Sequence, residues 1–387
     1  MELADLNEYL SRGGAALLSH PATYAVPDGA VIPPARYAGA NGSAFVFETR
    51  SIEGSFAKTA LIDSKQSQSN RSEAGIVTAR GEGEPAGRIP MLSVAYPSIT
   101  RLDAELPHRA FDAHVRAATH DGTPVVDMAW YRALRDATAV DLSPVFTTSP
   151  VTLGFGGWDS SRKTGQMRIR SHYVSELFGI VAPGEDVVSK RSGARLDPLG
   201  QDFHVTPDEF ATLLERQRPH MSDKTVRKLE AELAKVRKAK EGALISAASL
   251  GLGGVPPAVD TAYGVAVPEV RRARTYSLAG LRRLRFGGAQ NEDVAARRAL
   301  LAMLLLGAAY GDADPEIRAY CDIAAPHGRV LLDDELVELD LSIDACTAFL
   351  ADAIDELPER LAWTGQTIAL VGDPALVRGA TDDADNA

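Results

Sequence analysis

The chain has 387 residues, of which 45% are hydrophobic and 24% charged, and its net charge is −11, as expected of a globular protein with a buried core. No run of 18 apolar residues predicts a membrane helix, and the N-terminus, MELADLNEYL, lacks the basic and apolar regions of a secretory signal. Two cysteines, Cys321 and Cys346, are too few for a disulfide framework or an all-cysteine zinc site. We therefore expect a cytoplasmic protein.

The first part of the chain predicts a mixture of short strands and helices. Residues 1–43 form an irregular N-terminal segment, rich in Pro, Gly, Ala and Ser over 19–43. Residues 44–205 begin the main fold with two short strands, 44–52 and 57–63, separated by a Glu-Gly-Ser turn. A polar loop over 63–71 follows, and Asn70 with Glu73 predicts a capping pair for the next helix.

Further elements follow in the same part of the chain. Residues 78–90 have loop chemistry, and LSVAYPSI predicts a strand. Residues 106–120 predict a helix with Phe111, Val115 and Ala118 facing the core. Residues 148–159 predict a strand that runs into a glycine loop. Residues 168–180 predict either a strand or a strand that enters a helix.

Residues 206–245 are predicted to be a helical insertion. Thr206 and Glu209 form a capping box around a proline at the first helical position. Val226, Leu229, Leu233 and Val236 make a narrow apolar seam on a charged helix, which indicates a surface helical hairpin. Asp223 with Arg227 and Lys228 with Glu232 have the spacing of ion pairs.

Residues 246–377 complete the main fold. Their glycine-rich start, 246–268, predicts mobility, an apolar helix follows over 294–310, and the last part indicates strand, helix and strand. Residues 378–387 form an acidic tail predicted to be disordered. Because strands and helices mix without a regular βαβ alternation, the predicted class is α+β.

The usual catalytic signatures are absent from the sequence. There is no phosphate-binding loop of the G-x-x-x-x-G-K-[ST] type, no H-E-x-x-H and no G-x-S-x-G. The run LGFGGW at 153–158 does not complete a dinucleotide fingerprint and predicts a tight, closely packed turn. His108, His114 and His120 recur every six residues, which does not place them on one helix face, so we expect neither a metal site nor a cofactor.

The polar loop 63–71, DSKQSQSNR, is the most informative segment. A loop of this composition before a helix can bind phosphate through backbone N–H groups, and its amide and hydroxyl side chains can meet ribose or base edges. An ordinary connecting loop is the alternative, and composition alone does not decide between the two. The candidate RNA-binding residues here are Ser64, Lys65, Gln66, Ser67, Gln68, Asn70 and Arg71.

Basic residues concentrate in the middle of the chain. Residues 161–300 hold 24 Lys and Arg against 16 Asp and Glu, whereas residues 301–387 hold 4 against 18. Such asymmetry suggests a basic surface for a polyanion, although solvated helix faces would give the same count. Trp158, Phe155 and Phe286 could stack on bases, although each of them alone is more typical of a core residue. The candidate contacts are Trp158, Arg162, Lys163, Arg168, Arg170, Lys190, Arg191, Arg195, Arg282 and Arg285.

Six segments together carry a family resemblance. They are IDSKQSQSNR at 62–71, LPHRAFDAHVR at 106–116, TSPVTLGFGGWDSSR at 148–162, VSELFG at 174–179, SGARLDPLG at 192–200 and SLAGLRRLRF at 277–286. With these segments the chain resembles the type I-G (formerly I-U) CRISPR Cascade backbone protein, Cas family seven, of the RAMP superfamily. Residues 206–241 and the acidic C-terminal region lie outside the resemblance, so their roles stay open.

The resemblance implies a modified RRM-like (ferredoxin-like) palm with finger and thumb insertions. Several copies would form a helical homo-oligomer along a CRISPR guide RNA and present it for pairing with target DNA, a role in antiviral defence. The other implied partners are the large subunit, the fused Cas family five/six protein and a recruited helicase-nuclease, with no membrane. This ribonucleoprotein role needs no catalysis.

Two other classes of function remain. Related type III backbone subunits cut target RNA with an acid after the first palm strand, and Asp63 has a comparable position. A small-molecule enzyme built on the glycine run at 154–157 is the second.

Overall fold

The computed structural model describes residues 1–11, 13–39, 42–159, 168–184, 188–195, 204–238, 242–252, 255–313 and 315–377. It divides the chain into two compact units. The first is Met1–Val187 with Gly264–Asp373, and the second is Val188–Tyr263 with Pro374–Ala387. The predicted tail, 378–387, lies outside the described residues.

Short strands and helices follow one another irregularly along the chain. The strands are β1 (Leu17–Ser19), β2 (Ala22–Ala25), β3 (Arg36–Gly39), β4 (Gly42–Phe45), β5 (Phe47–Ile52), β6 (Ser55–Asp63), β7 (Met91–Tyr96), β8 (Ile99–Leu102), β9 (Thr119–His120), β10 (Thr123–Pro124), β11 (Tyr173–Ile180), β12 (Val188–Arg195), β13 (His204–Val205), β14 (Ile245–Ser246), β15 (Val255–Val265), β16 (Glu269–Ser277), β17 (His327–Gly328), β18 (Val330–Leu332), β19 (Glu335–Val337) and β20 (Thr367–Val371). The α-helices are α1 (Asn7–Ser11), α2 (Lys65–Glu82), α3 (Ala113–Arg116), α4 (Ala129–Arg135), α5 (Ser143–Phe146), α6 (Pro150–Phe155), α7 (Pro207–Gln217), α8 (Asp223–Arg237), α9 (Leu278–Leu281), α10 (Gln290–Ala313) and α11 (Ile343–Asp355). Short 3-10 helices occupy Leu3–Leu6, Ala86–Arg88, Asp103–Glu105, Arg109–Phe111, Val125–Asp127, Arg218–His220, Ala247–Leu250, Glu359–Leu361 and Pro374–Leu376.

A nine-stranded sheet forms the centre of the first unit. Its strand order is β19-β18-β1-β16-β11-β6-β5, and β2 and β17 lie beside β16 off this path. Strands β11 and β16 pair antiparallel from Tyr173↔Tyr276 to Gly179↔Val270, and β6 pairs antiparallel with β11. The two strands predicted at 44–52 and 57–63 are confirmed as β5 and β6, except that residues 44 and 45 belong to β4. Helix α2 packs against β11, and α10 packs against α2.

Helix α10 is the core helix of the first unit. It is long and apolar enough to cross a membrane by length and composition, but 72% of its most apolar window is buried inside the protein. Ala299, Leu300, Met303 and Leu304 are completely buried. Burial of this kind is typical of a core helix in a globular protein. The predicted helix 294–310 is confirmed and is longer at both ends.

A second, five-stranded sheet of the first unit has the order β10-β9-β20-β7-β8. The last predicted strand is β20, which runs parallel to β7. Buried Trp363 donates its indole N–H to the Phe146 carbonyl at 3.1 Å. The predicted class, α+β, is confirmed by these antiparallel and mixed sheets with their helices, and the RRM-like palm stays a prediction.

The second unit contains the predicted helical hairpin, α7 and α8. Thr206 and Glu209 form the predicted capping box. Phe210 and Leu214 of α7 and Leu229 and Leu233 of α8 share one apolar cluster, because the narrow seam of α8 can be buried only against a partner helix. Strands β12 and β15 pair with each other, as do β13 and β14. Residues 255–265 of the segment predicted to be mobile, 246–268, form strand β15, and the mobility itself stays a prediction.

Several other local predictions are wrong. Segment 1–43, predicted to be irregular, contributes β1 and β2 to the nine-stranded sheet, and residues 78–82, predicted to be loop, are the last residues of α2. Residues 106–120 form a 3-10 turn, the short helix α3 and strand β9 rather than one helix, although Phe111, Val115 and Ala118 are buried as expected. Residues 150–155 form helix α6 and not a strand. Pro150 can start α6 because its fixed φ suits the first turn of a helix. All six residues of α6 are buried, so the sequence has no exposed polar face that would reveal a helical period.

Helices α2 and α10 cross so closely that Gly307 has no room for a side chain. A Cβ built on it would lie 2.5 Å from the Ser72 carbonyl oxygen. We expect Gly307→Ala to lower the free energy of unfolding by about 1–3 kcal/mol, the usual cost of overpacking. Gly311→Ala in the same helix is the matched control, since its Cβ would meet nothing closer than 3.4 Å. It should be neutral or stabilising by up to about 1 kcal/mol in urea unfolding. Equal stability losses in both variants would contradict the close crossing.

Candidate nucleic-acid interface

Helix α2 begins where the sequence predicts a loop. Ser64 is its N-cap and accepts a hydrogen bond from the Ser67 N–H at 3.2 Å. The helix therefore starts at Lys65 rather than at the predicted Asn70–Glu73 capping pair, and the loop predicted over 63–71 is wrong. The polar composition of 63–71 is typical of a loop, but Lys and Gln are also good helix formers. The segment can therefore form a helix when Ser64 caps its start.

The helix separates the predicted RNA-binding residues into two groups. Lys65, Gln66 and Asn70 are exposed on its outer face. Gln68 is only 5% exposed, donates to Asp63 Oδ2 at 2.7 Å and accepts from the Ser175 hydroxyl at 3.1 Å. Gln68 is therefore an internal residue, which corrects its placement in an RNA-binding loop.

Arg71 is the second correction. Its Nε lies 3.1 Å from Asp63 Oδ2, and its Nη2 donates to the Ile317 carbonyl at 2.8 Å. Arg318 Nη2 lies 3.3 Å from the other oxygen, Asp63 Oδ1. Asp63 is 1% exposed, so two arginines and Gln68 satisfy a carboxylate that burial would otherwise destabilise. Arg71 thus fastens the start of α2 to the chain around residue 317.

Arg109 is a structural anchor that the sequence reasoning missed. Its Nε and Nη2 bind the two carboxylate oxygens of Glu73, the second at 2.8 Å, and its Nη1 donates to the Gly156 carbonyl at 2.9 Å. The guanidinium also lies 5.6 Å from the Phe155 ring centroid. Burial raises the pKa of Glu73, and the ion pair with Arg109 opposes that shift. Because Glu73 lies on the buried face of α2, a cationic partner could have been expected.

A partly exposed tryptophan, Trp158, follows the glycine run. Trp158 is 41% exposed, and the Arg168 guanidinium lies 4.4 Å from its ring centroid. Gly157 and Ile169 exchange two backbone hydrogen bonds of 3.0 Å, which fix the segment that carries Trp158. Gly156 has a φ of +93°, and a Cβ there would lie 2.9 Å from the Ser171 nitrogen. The predicted tight, closely packed turn is confirmed.

These elements line two adjoining open clefts, which we together call the α2 groove. The clefts have volumes of about 620 and 310 Å³ and share Pro107, Arg109, Phe155 and Ser171. Lys65, Gln66, Ser69 and Asn70 line one end, and His108, Trp158 and Arg168 line the other. The groove therefore joins a helix N-terminus, amide side chains, cations and an exposed indole, a combination suited to phosphates and bases.

The remaining predicted residues lie elsewhere or outside the described part of the chain. Arg282 donates to the carbonyls of Tyr9 and Ala15, both at 2.7 Å, so it braces the N-terminal segment, and its contact with RNA stays a prediction. Arg285 binds neighbouring carbonyls and Asp293, and Arg170 is exposed beside Ser277. Lys190 is exposed on β12 of the second unit, and Phe286 is buried. Arg162 and Lys163, and the side chains of Arg191 and Arg195, lie outside the described residues.

Within the described residues, no group of three His, Cys, Asp or Glu side chains could hold a metal ion. His172 is buried and burial lowers its pKa to about 4, which keeps it neutral. The lining of the α2 groove offers charge, hydrogen-bonding groups and one stacking surface.

Comparison with known proteins bears on the same part of the chain. Residues 19–183 match the model of a family described as CRISPR-associated protein GSU0053, whereas no curated protein matches the chain. Every residue that lines the α2 groove falls within the matched stretch. The similarity over these residues supports a CRISPR-associated role for this chain.

Proposed function

We propose that this chain is a non-catalytic backbone subunit of a type I-G CRISPR interference complex. It polymerises along a guide RNA and presents that RNA for pairing with target DNA, together with the large subunit, the fused Cas family five/six protein and a recruited helicase-nuclease. The antiparallel strands β5, β6, β11 and β16, with α2 and α10, are our candidate for the RRM-like palm. The family match over residues 19–183 supports the CRISPR-associated part of this proposal.

The observation that carries the proposal is the α2 groove. Proteins that bind single strands without sequence preference combine a positive groove for the backbone with aromatic faces for bases. Lys65 and Asn70 supply charge and hydrogen bonds at one end, and the Trp158–Arg168 pair supplies a stacking surface at the other. A guide whose bases must remain free for pairing needs a protein that holds its backbone and touches few bases.

Trp158 provides the direct test. We expect Trp158→Ala to weaken binding of single-stranded RNA about tenfold, since stacking contributes about 1–3 kcal/mol per base, and Trp158→Phe to retain most of the affinity. Fluorescence anisotropy with a labelled guide RNA measures this. Tyr320→Ala is the matched control, because Tyr320 is 57% exposed and lies outside the groove. An RNA affinity unchanged by Trp158→Ala would show that the α2 groove is not the RNA-binding site.

The guide-dependent ribonuclease is the alternative, with Asp63 as the catalytic acid. Both oxygens of the Asp63 carboxylate are engaged by Arg71, Arg318 and Gln68, and the residue is buried. A carboxylate in this state is poorly placed to hold a divalent ion or take a proton at a scissile bond. We therefore expect guide-loaded protein to leave matching RNA intact in Mg²⁺. Cleavage that Asp63→Asn abolishes would restore the alternative.

A further inference from the structure

Strand β20 in the five-stranded sheet of the first unit has one edge that is mostly unpaired. On its other side β20 runs parallel to β7 over all five of its residues. On the unpaired side the two-residue strand β9 pairs with it only at Val371↔Thr119. Within the described part of the chain, the edge from Thr367 to Leu370 therefore has no neighbouring strand. We call it the free edge of β20.

The hydrogen bonds to β7 show which backbone groups are left on the free edge. The Met91 N–H donates to the Gln366 carbonyl at 3.2 Å. In a parallel pair every second residue bonds to the neighbouring strand, so residues 366, 368 and 370 direct their backbone groups to β7. Thr367 and Ala369 are exposed and direct their N–H and C=O groups to the free edge. Among the described residues, none bonds to these four backbone groups.

The free edge lines an open cleft of about 620 Å³. Trp130 of α4 and Thr148, which follows α5, contribute to the same lining. The lining holds one cation, Arg360, which binds Glu292 at 2.6 Å, and one carboxylate, that of Asp121. The cleft therefore offers backbone hydrogen-bonding groups and carries no net charge.

We propose that the free edge of β20 binds an extended, uncharged peptide segment of another protein, which adds a strand to the sheet. In strand addition the main chain of the peptide bonds to the exposed edge, and alternating N–H and C=O groups match another extended backbone. Proteins usually block a free edge with charged residues, proline or a bulge, and β20, TIALV, has neither a charge nor a proline. A nucleic acid is not favoured, because phosphates need cations and Glu292 already binds Arg360.

A strand of a second copy is the other protein partner, but the edge strands of this chain fit the cleft less well. The strands that end the two sheets of the first unit are β19, β5, β10 and β8. Strand β19 contains Glu335, β5 contains Glu48 and Arg50, β8 contains Arg101, and β10 is only Thr123–Pro124. Burying such charges in a cleft without net charge is costly, and proline lacks the N–H that pairing needs. We therefore commit to a segment of a different protein.

The test measures amide hydrogen exchange at single residues of the full chain, with and without a terminally blocked hexapeptide of alternating threonine and valine. In the protein alone, the Thr367 and Ala369 amides should exchange much faster than those of Ile368 and Leu370, which face β7. At a peptide concentration about ten times its Kd, exchange at Thr367 and Ala369 should slow about tenfold, because only the free protein then exchanges. The same peptide with every amide nitrogen methylated should give no protection.

A pair of variants tests the same edge through binding of the fluorescently labelled peptide. Ala369→Pro removes one N–H from the free edge and no bond to β7, and edge strands tolerate proline in this orientation. It should abolish peptide binding, whereas the matched control Ala369→Val keeps the N–H and should bind like the parent. Guide RNA affinity should be the same in all three proteins, since the cleft and the α2 groove share no lining residue. Failure of this inference is therefore distinguishable from failure of the α2 groove.

Three results would overturn the proposal. The first is exchange at Thr367 and Ala369 that a saturating concentration of the peptide does not slow. The second is peptide binding by a folded Ala369→Pro variant that equals binding by Ala369→Val. The third is protection of both amides that rises with protein concentration in the absence of peptide, which would favour a second copy as the occupant. The exchange measurement needs no variant, so it decides the question even where Ala369→Pro does not fold.

Discussion

Replacing Arg109 with alanine is expected to lower the free energy of unfolding by about 3–5 kcal/mol, the usual cost of removing one partner of a buried ion pair. Glu73 is 2% exposed and accepts two hydrogen bonds from the Arg109 guanidinium. Without that partner a buried carboxylate would be left uncompensated, and the Gly156 carbonyl would lose its donor. Urea unfolding of the RNA-free protein at pH 7 measures the loss.

The matched control is Arg101→Ala. Arg101 lies 3.1 Å from Glu105, but its side chain is 49% exposed, and exposed pairs contribute at most about 1 kcal/mol. An Arg109→Ala variant as stable as Arg101→Ala would show that Glu73 does not depend on Arg109. Arg109→Lys should recover only part of the loss, because lysine keeps the charge but cannot bind both carboxylate oxygens in a fork.

The deficit of the Arg109→Ala variant should depend on pH. Burial raises the pKa of Glu73 in the folded protein, and Arg109 opposes this shift. A carboxyl whose folded-state pKa exceeds its unfolded value costs stability as pH rises through the unfolded value, because the unfolded chain loses its proton first. Removing Arg109 enlarges that shift. The stability difference between parent and variant should therefore be smaller at pH 4.5 than at pH 7.

The same hydrogen bonds place Arg109 under the α2 groove as a positioning residue. It holds helix α2 through Glu73 and the glycine turn through Gly156, and these two elements carry the two ends of the groove. The conservative Arg109→Lys variant should bind RNA more weakly per folded molecule than the parent, with Trp158 fluorescence altered by the displaced turn. A purely structural role would change stability and leave the fluorescence of the folded fraction unchanged.

Hydrophobic period is a reliable guide where an element has one buried face. The seam of α8 and the apolar run of α10 predict the correct helices, although the helix predicted over 294–310 is shorter at both ends than α10. The hydrophobic period fails where burial is complete, as in α6, because every position is buried and the sequence of a helix then resembles that of a strand. It also fails for 106–120, where short turns follow one another and tertiary packing, not local propensity, buries Phe111 and Val115.

The groove could be predicted only in part. Five of the residues that the sequence predicts to bind RNA line the α2 groove. They are Lys65, Gln66, Asn70, Trp158 and Arg168. Gln68 and Arg71 belong to the same polar run, but on helix α2 their side chains bind groups of the protein. The loop that the sequence predicts would not have placed them there. Their burial depends on which residue caps the helix. Ser64 and Asn70 are both acceptable caps by residue type, so composition could not choose between them.

The contrast between Lys65 and Arg71 gives the second large expected effect. Arg71→Ala should lower the free energy of unfolding by about 3 kcal/mol, near the lower end for a broken buried pair, because Arg318 and Gln68 remain on Asp63. Lys65→Ala should change stability by less than about 0.5 kcal/mol, since it is an exposed surface position whose side chain is 58% exposed. Urea unfolding of both variants separates these outcomes.

RNA binding should show the reverse order. Lys65 lines the α2 groove, so Lys65→Ala should weaken guide RNA binding and make the log–log salt slope shallower by about 0.7, the value for one bound phosphate of a single strand. Arg71 donates to Asp63 and to the Ile317 carbonyl and has no role in the groove. Its replacement should therefore leave affinity per folded molecule and the salt slope unchanged under conditions where the variant is folded. An Arg71→Ala variant that keeps its stability but binds one phosphate fewer would show that the guanidinium leaves Asp63 to bind RNA.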